Sequence, residues 1–158
     1  MTITDLLGVA LKIEGSGYTY YSKLSQISSG KTKELFEELA NDERAHAKTF
    51  EEILKGFKDK SKAPLNEEEV GYATTYAQEI IFPKLKDDEV PSSFKESLKK
   101  AIEVEKDSII FYNEIKSLVP NLDALTKIIE EEQKHLRKLT IKLNGEDSFD
   151  MFSEGSMI

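Results

Sequence analysis

The two histidines of the sequence each follow a glutamate by three residues. Glu43 precedes His46, and Glu132 precedes His135. Residues three apart on a helix share one face, so each pair can direct a carboxylate and an imidazole at the same point. Both groups are ligands of transition-metal ions. One such pair is a weak signal, because surface pairs at this spacing are common, whereas two pairs in one chain favour metal binding.

An internal repeat adds one further glutamate to each pair. Residues 10–14 (ALKIE) resemble residues 101–105 (AIEVE), and residues 42–46 (DERAH) resemble residues 131–135 (EEQKH) in the same order. Each half of the chain therefore contributes a glutamate from its first segment and a Glu-x-x-His motif from its second. Two copies indicate a duplicated helical hairpin, since a solenoid needs at least about three units.

The elements that position these residues are predicted to be helices. Apolar residues recur at three- and four-residue spacing along most of the chain, and no strand pattern of useful length is found. We therefore expect an all-α four-helix bundle with a long crossover between helices two and three that contains a short helix. The expected boundaries are a turn at residues 28–30, a linker at 58–64, the short helix over 67–81, a second linker bracketed by Pro83 and Pro91, a cap at Ser92 or Ser93, a break at Pro120, a cap at Asn121 and an end at Gly145.

Residues 1–145 are expected to form the bundle, and residues 146–158 a C-terminal tail that is either flexible or docked on a partner subunit.

Composition limits the classes of partner and site. The formal charge of −8 and the pI near 4.9 argue against nucleic-acid and anionic-membrane partners. The absence of cysteine excludes disulfides, Cys-ligated metal sites and a thiol nucleophile. With no signal-peptide pattern and no apolar run of membrane-spanning length, we expect a cytoplasmic protein.

The helical phase directs six polar side chains at the centre of the bundle. Within each half, the two glutamates lie equally far from the connecting loop, about 20 Å at 1.5 Å per residue. Four buried carboxylates would protonate without compensating charge, and two divalent cations would balance them. An oxygen-rich set with one imidazole per ion suits iron or manganese better than zinc. The six residues are Glu14, Glu43, His46, Glu105, Glu132 and His135.

With these residues the chain resembles the rubrerythrin branch of the ferritin-like di-iron-carboxylate superfamily, over roughly residues 3–144. The resemblance implies two iron ions, with manganese or zinc as substitutes. It implies that Glu43 and Glu132 bridge the ions and that Glu14 and Glu105 are terminal ligands. The iron ligands, which are also the expected catalytic residues, would be Glu14, Glu43, His46, Glu105, Glu132 and His135.

The function that the resemblance implies is the reduction of hydrogen peroxide or dioxygen by a non-haem di-iron oxidoreductase. Rubrerythrins proper carry a rubredoxin module with four cysteines, which these 158 residues lack, so we expect a separate electron-donor protein. They also carry a second glutamate one turn from the helix-three ligand, but Ile102 and Ser108 occupy the positions three away from Glu105. The alternative is an iron-binding protein, a ferroxidase or iron store, and a structural metal site is a third interpretation. A homodimer fits the resemblance.

Tyrosines and acidic residues near the six have alternative roles. Tyr18, Tyr21 and Tyr112 are spaced to lie near the site. Tyr21 and Tyr112 could hydrogen-bond a glutamate ligand or supply an oxidisable phenol, and plain core is the alternative. Asp42 and Glu131 each precede a predicted ligand, and they either accept a proton from the far histidine nitrogen or are solvated.

Gly15 and Gly17 lie in mid-helix, where each costs about 1 kcal/mol relative to alanine. Close helix approach, space for a ligand, or drift in a tolerant position would each explain them.

Overall fold

The computed structural model describes residues 1–57, 67–119 and 122–145, and within these ranges the chain is helical and contains no strand. The predicted all-α bundle is confirmed. Every helix in the described ranges is too short or too polar to span a bilayer. The helices are α1 (Ile3–Gln26), α2 (Gly30–Phe57), α3 (Glu67–Tyr76), α4 (Phe82–Lys86), α5 (Phe94–Leu118) and α6 (Asp123–Gly145).

Four long helices form two hairpins, because α1 packs chiefly against α2 and α5 against α6. The first hairpin turns at Gly30, whose φ of +58° is a conformation that glycine adopts without steric cost. The Ser93 side chain accepts a hydrogen bond from the Glu96 amide and caps α5, as one of the two expected serines. The predicted linker 58–64, the predicted Asn121 cap and the tail 146–158 lie outside the described residues.

Each long helix carries its polar site residues between two apolar groups. One group includes Leu6, Phe50 and Ile115, and the other includes Leu24 and Phe36. These five side chains are fully buried. Burying a Leu, Ile or Phe side chain contributes about 1.5–3 kcal/mol, so the two apolar ends hold together a bundle whose middle is charged.

The crossover differs from the prediction at Pro83. The short helix over 67–81 is present, but the helical path continues through Pro83 to Lys86 instead of ending before the proline. Proline lacks an amide hydrogen, and its ring meets the carbonyl four residues earlier in an α-helix. A π-helical turn at Ala77–Ile81, in which the Phe82 amide donates to the Ala77 carbonyl, accommodates it.

A buried carboxylate joins the crossover to α5. Asp107 is 8% exposed and accepts a hydrogen bond of 2.8 Å from the Tyr76 hydroxyl and another from Lys84. No sequence pattern indicated this contact. It fixes α3 and α4 against the α5 helix that carries Glu105.

Candidate metal centre

All six predicted ligands converge at the centre of the bundle, where none is more than 3% exposed. The six residues form two overlapping groups of four. Within each group, one potential ligand atom of each residue lies within 4.8 Å of those of the other three. Glu43 and Glu132 belong to both groups. The groups are Glu14, Glu43, His46 and Glu132, and Glu43, Glu105, Glu132 and His135.

The Nδ1 atom of each histidine faces the carboxylates. His46 Nδ1 lies 2.8 Å from Glu132 Oε1 and 3.7 Å from Glu14 Oε2. His135 Nδ1 lies 3.2 Å from Glu43 Oε1 and 3.7 Å from Glu132 Oε1. Each imidazole therefore reaches one of the two carboxylates that the groups share, and Glu132 lies near both rings.

The opposite nitrogen of each histidine donates to an acidic residue on the other hairpin. His46 Nε2 donates to Glu131, and His135 Nε2 donates to Asp42 Oδ2 over 3.0 Å. Both acids therefore contact the far nitrogen of a histidine, as the interpretation that they accept its proton requires. A proton held at Nε2 leaves Nδ1 as the lone-pair atom that a metal ion needs.

The same acidic surroundings stabilise protonated histidines. Burial lowers the pKa of His46, but hydrogen bonds and charges from Glu14 and Glu131 outweigh it and raise this pKa to about 9. Burial likewise opposes the shift at His135, whose pKa is nevertheless raised by Glu105 and Asp42. Metal binding at Nδ1 must therefore displace protons, so metal affinity rises with pH.

Two tyrosines hold the outer glutamates in place, each from the opposite hairpin. The Tyr21 hydroxyl donates to Glu105 Oε1 over 2.7 Å, and the Tyr112 hydroxyl donates to Glu14 Oε1 over 2.8 Å. Burial and the neighbouring carboxylates raise the pKa of both phenols, so both stay protonated donors. The prediction that Tyr18 also lies near the site was wrong. Its side chain is 37% exposed, on the outer face of α1.

Gly17 provides space for Glu43. A Cβ built at Gly17 would lie 3.1 Å from Glu43 Oε2 and 3.3 Å from its Cδ. Of the explanations open for Gly17, close approach therefore applies. At Gly15 the built Cβ meets no atom of the described residues within 4 Å, so the structure shows no steric reason for that glycine.

The donor set fits a metal. Two buried ligand oxygens, Glu14 Oε2 and Glu105 Oε2, find no hydrogen-bond partner in the described part of the chain. His46 Nδ1 and Glu132 Oε1 lie 2.8 Å apart, but they form no aligned hydrogen bond. An unsatisfied buried acceptor costs about 1–3 kcal/mol, and more when it is charged. Burial, then repulsion from the neighbouring glutamates, raises the pKa of Glu43 and Glu132. Cations would satisfy the unpaired atoms and remove this repulsion, and hard oxygen donors with imidazole are the set that iron and manganese accept.

Two comparisons with known proteins agree with this geometry. The family model named Rubrerythrin matches residues 5–142. A crystal structure described as a ferritin-like diiron-carboxylate protein, from Thermotoga maritima, superposes with a TM-score of 0.69 at 33% identity, covering 91% of this chain and 95% of that chain. No curated protein sequence matches significantly. With a family match over most of its length and a buried carboxylate–histidine cluster at its centre, the chain belongs to the rubrerythrin family.

Proposed function

We propose that the protein is a non-haem di-iron oxidoreductase that reduces hydrogen peroxide or dioxygen with electrons from a separate donor protein. The observation that carries the proposal is the pair of four-residue groups that share Glu43 and Glu132. Two overlapping groups of this kind match two metal ions held side by side, as in two-metal sites whose ions lie about 3.5–4 Å apart. Two divalent ions would balance the four glutamates in charge.

The contacts support the proposed ligand assignments. Glu14 and His46 would hold one ion, and Glu105 and His135 the other, while Glu43 and Glu132 would bind both. Glu131 and Asp42 keep the proton of each imidazole at Nε2. These acids therefore orient the rings and increase the basicity of Nδ1.

The reaction needs a source of two electrons and a site that excludes competing chemistry. A di-iron centre, when bound, supplies one-electron redox chemistry at each ion to an O–O bond held beside it. The chain supplies the ligands, and none of these six side chains is more than 3% exposed to solvent. Tyr21 and Tyr112 hold their protons at Oη and fix one oxygen each of Glu105 and Glu14. The ligand geometry is therefore set before a substrate arrives.

A separate electron donor is proposed because these 158 residues contain no cysteine and cannot bind a rubredoxin-type iron. The net charge of −8 favours a donor with a basic docking face. The homodimer and the cytoplasmic location stay predictions.

The test is anaerobic loading with ferrous iron followed by titration with hydrogen peroxide or dioxygen. The reduced protein should consume about one hydrogen peroxide per two irons and react again after re-reduction. Uptake of iron far beyond two per chain, with assembly into a large shell, would instead show an iron store and overturn the proposal. Loading to two irons without oxidation by either oxidant would indicate a structural metal site.

A further inference from the structure

A chamber of about 220 Å³ lies beside the shared and outer carboxylates of the metal centre. At its inner end it is lined by Glu43, Glu105 and Glu132, and at its outer end by the exposed residues Asp87 and Asp88. It therefore joins the centre to the surface between α1, α5 and the end of the crossover. No part of the proposed function so far uses this space.

Small side chains create the chamber. Gly17, Ala101 and Ser108 line it, and all three are buried beside the carboxylates. Rubrerythrins proper carry a second glutamate one turn from the helix-three ligand, and Ser108 is one of the two residues three positions from Glu105. Its hydroxyl donates to the Val104 carbonyl over 2.8 Å. A serine here leaves open the space that a glutamate side chain would occupy.

Part of the chamber wall is apolar, its inner end is charged, and Thr19 and Lys84 add polar groups to the wall. Ile13, Leu85 and Val104 form part of the walls, and the glutamates form the inner end. A ligand that matches both parts has an apolar body and one polar end.

The outer wall is held in place by side chains from α5. The Lys100 ammonium donates to the Asp87 and Glu89 carbonyls over 2.7 and 2.6 Å. Asp107 binds both Tyr76 and Lys84 of the crossover. With the crossover fixed in this way, the chamber is preformed, as ligand sites usually are.

The size of the chamber exceeds what hydrogen peroxide needs. A water molecule occupies about 30 Å³ of liquid, and an engineered apolar cavity of about 150 Å³ in another protein binds benzene. tert-Butyl hydroperoxide has as many non-hydrogen atoms as benzene. We propose that the chamber binds small alkyl hydroperoxides, with the alkyl group against Ile13, Leu85 and Val104 and the O–O bond at the carboxylate end. This assignment rests on the proposed function and names its substrate class.

The reaction balances with the reductant already proposed. The O–O bond of ROOH breaks and two electrons are consumed, one from each reduced iron. Two protons are taken up, one by the RO oxygen to give the alcohol and one by the other oxygen, which leaves as water with the hydrogen it already carries. The donor protein then returns both electrons.

Binding is tested without turnover, on full-length protein loaded with zinc, which is redox-inert. tert-Butanol, the product alcohol, is titrated while the amide signals of α1 and α5 are followed by NMR. We expect saturable shifts around Ala101, Val104 and Ser108. Two variants that fill the chamber, Ala101→Leu and Val104→Phe, should weaken this binding at least about tenfold, since a single methylene can change recognition that much. Ala124→Leu makes the same substitution at an exposed position of α6 and should bind as the wild type does.

Turnover supplies the second measurement. With iron loaded, either filled variant should lose at least about tenfold in kcat/KM for tert-butyl hydroperoxide and less than about threefold for hydrogen peroxide. Val104 is only partly buried, so its variant keeps the test valid if Ala101→Leu does not fold. If the protein reduces hydrogen peroxide but does not bind tert-butanol saturably, the chamber assignment alone is overturned. The same conclusion follows if the filled variants bind tert-butanol as tightly as the wild type does. Failure to reduce any peroxide overturns the proposed function and this substrate assignment with it.

Discussion

Gly15 and Gly17 of α1 form a matched pair for testing how closely α1 approaches the metal centre. Replacing glycine by alanine inside a helix stabilises the folded state by about 1 kcal/mol when nothing else changes. The added Cβ meets no described atom within 4 Å at Gly15, whereas at Gly17 it lies 3.1 Å from Glu43 Oε2. Both substitutions therefore gain the same helix propensity, and only Gly17→Ala adds a contact with Glu43.

The expected magnitudes follow from that difference. Gly15→Ala should raise the free energy of unfolding by about 1 kcal/mol, which raises the Tm by about 2–4 °C for a domain of this size. In Gly17→Ala the same gain is opposed by an overpacking cost of about 1–3 kcal/mol. The metal-free variants should therefore differ by about 1–3 kcal/mol in urea denaturation, with Gly17→Ala the less stable.

Metal affinity should separate the two variants as well. To relieve the contact, the Glu43 carboxylate must move by a few tenths of an ångström. Glu43 belongs to both four-residue groups, so we expect Gly17→Ala to weaken zinc binding by about 10–100-fold, as the loss of groups that support ligands does. Competition with a chelator measures this, and Gly15→Ala is the control. Equal stabilisation of both variants, together with unchanged zinc affinity in Gly17→Ala, would refute the placement of Glu43 against α1.

Three further outcomes test the centre itself. Glu132→Ala should bind at most one ion per chain by elemental analysis, while Glu130→Ala, at an exposed position, should keep two. Equal metal content in the two variants would contradict the assignment of Glu132 to the inner face of α6. Because the pKa values of Glu132 and His46 are raised, the folded metal-free protein binds more protons than the unfolded chain. Its free energy of unfolding should therefore fall as the pH rises from 4.5 to about 9. The lowered pKa of Glu105 acts only below 4.5, outside this window, and a metal-free stability that rises with pH would count against the buried cluster. Tyr21→Phe should destabilise the metal-free protein by about 1–3 kcal/mol in urea denaturation by leaving a Glu105 oxygen unpaired, and unchanged stability would show that this hydrogen bond contributes little.

The residues of the centre could be predicted because several independent patterns coincide on them. Helical phase, equal distance from the loops and the internal repeat all select the same six positions. The paired acids were also accessible to this reasoning, since Asp42 and Glu131 lie one residue before a predicted ligand and so face the neighbouring helix. Each of these inferences uses only spacing along a straight helix.

Features that depend on the crossover could not be predicted in the same way. Periodicity does not say how α3 is rotated against α5, so it gave no sign that Asp107 pairs with Tyr76. The helix through Pro83 was missed because a proline normally ends a helix. The π-helical turn at Ala77–Ile81 that accommodates this proline is not indicated by apolar periodicity. Tyr18 was misplaced because it directly follows Gly17, which lies on the buried face of α1. Spacing along a helix does not separate a residue at the edge of the buried face from one inside it, and Tyr18 is exposed.

The repeat has a consequence for how the centre and the fold depend on each other. Tyr21 of the first hairpin holds Glu105 of the second, and Tyr112 of the second holds Glu14 of the first. The acids that orient the two histidines are exchanged between hairpins in the same way. Neither hairpin alone contains these supports for its own ligands, so a complete centre requires the docked pair. Metal binding must then stabilise the docking of the hairpins. The crossover breaks this symmetry, because it packs on α5 and borders the chamber beside Glu105. The chamber that we propose for substrate therefore opens on the side where the crossover lies.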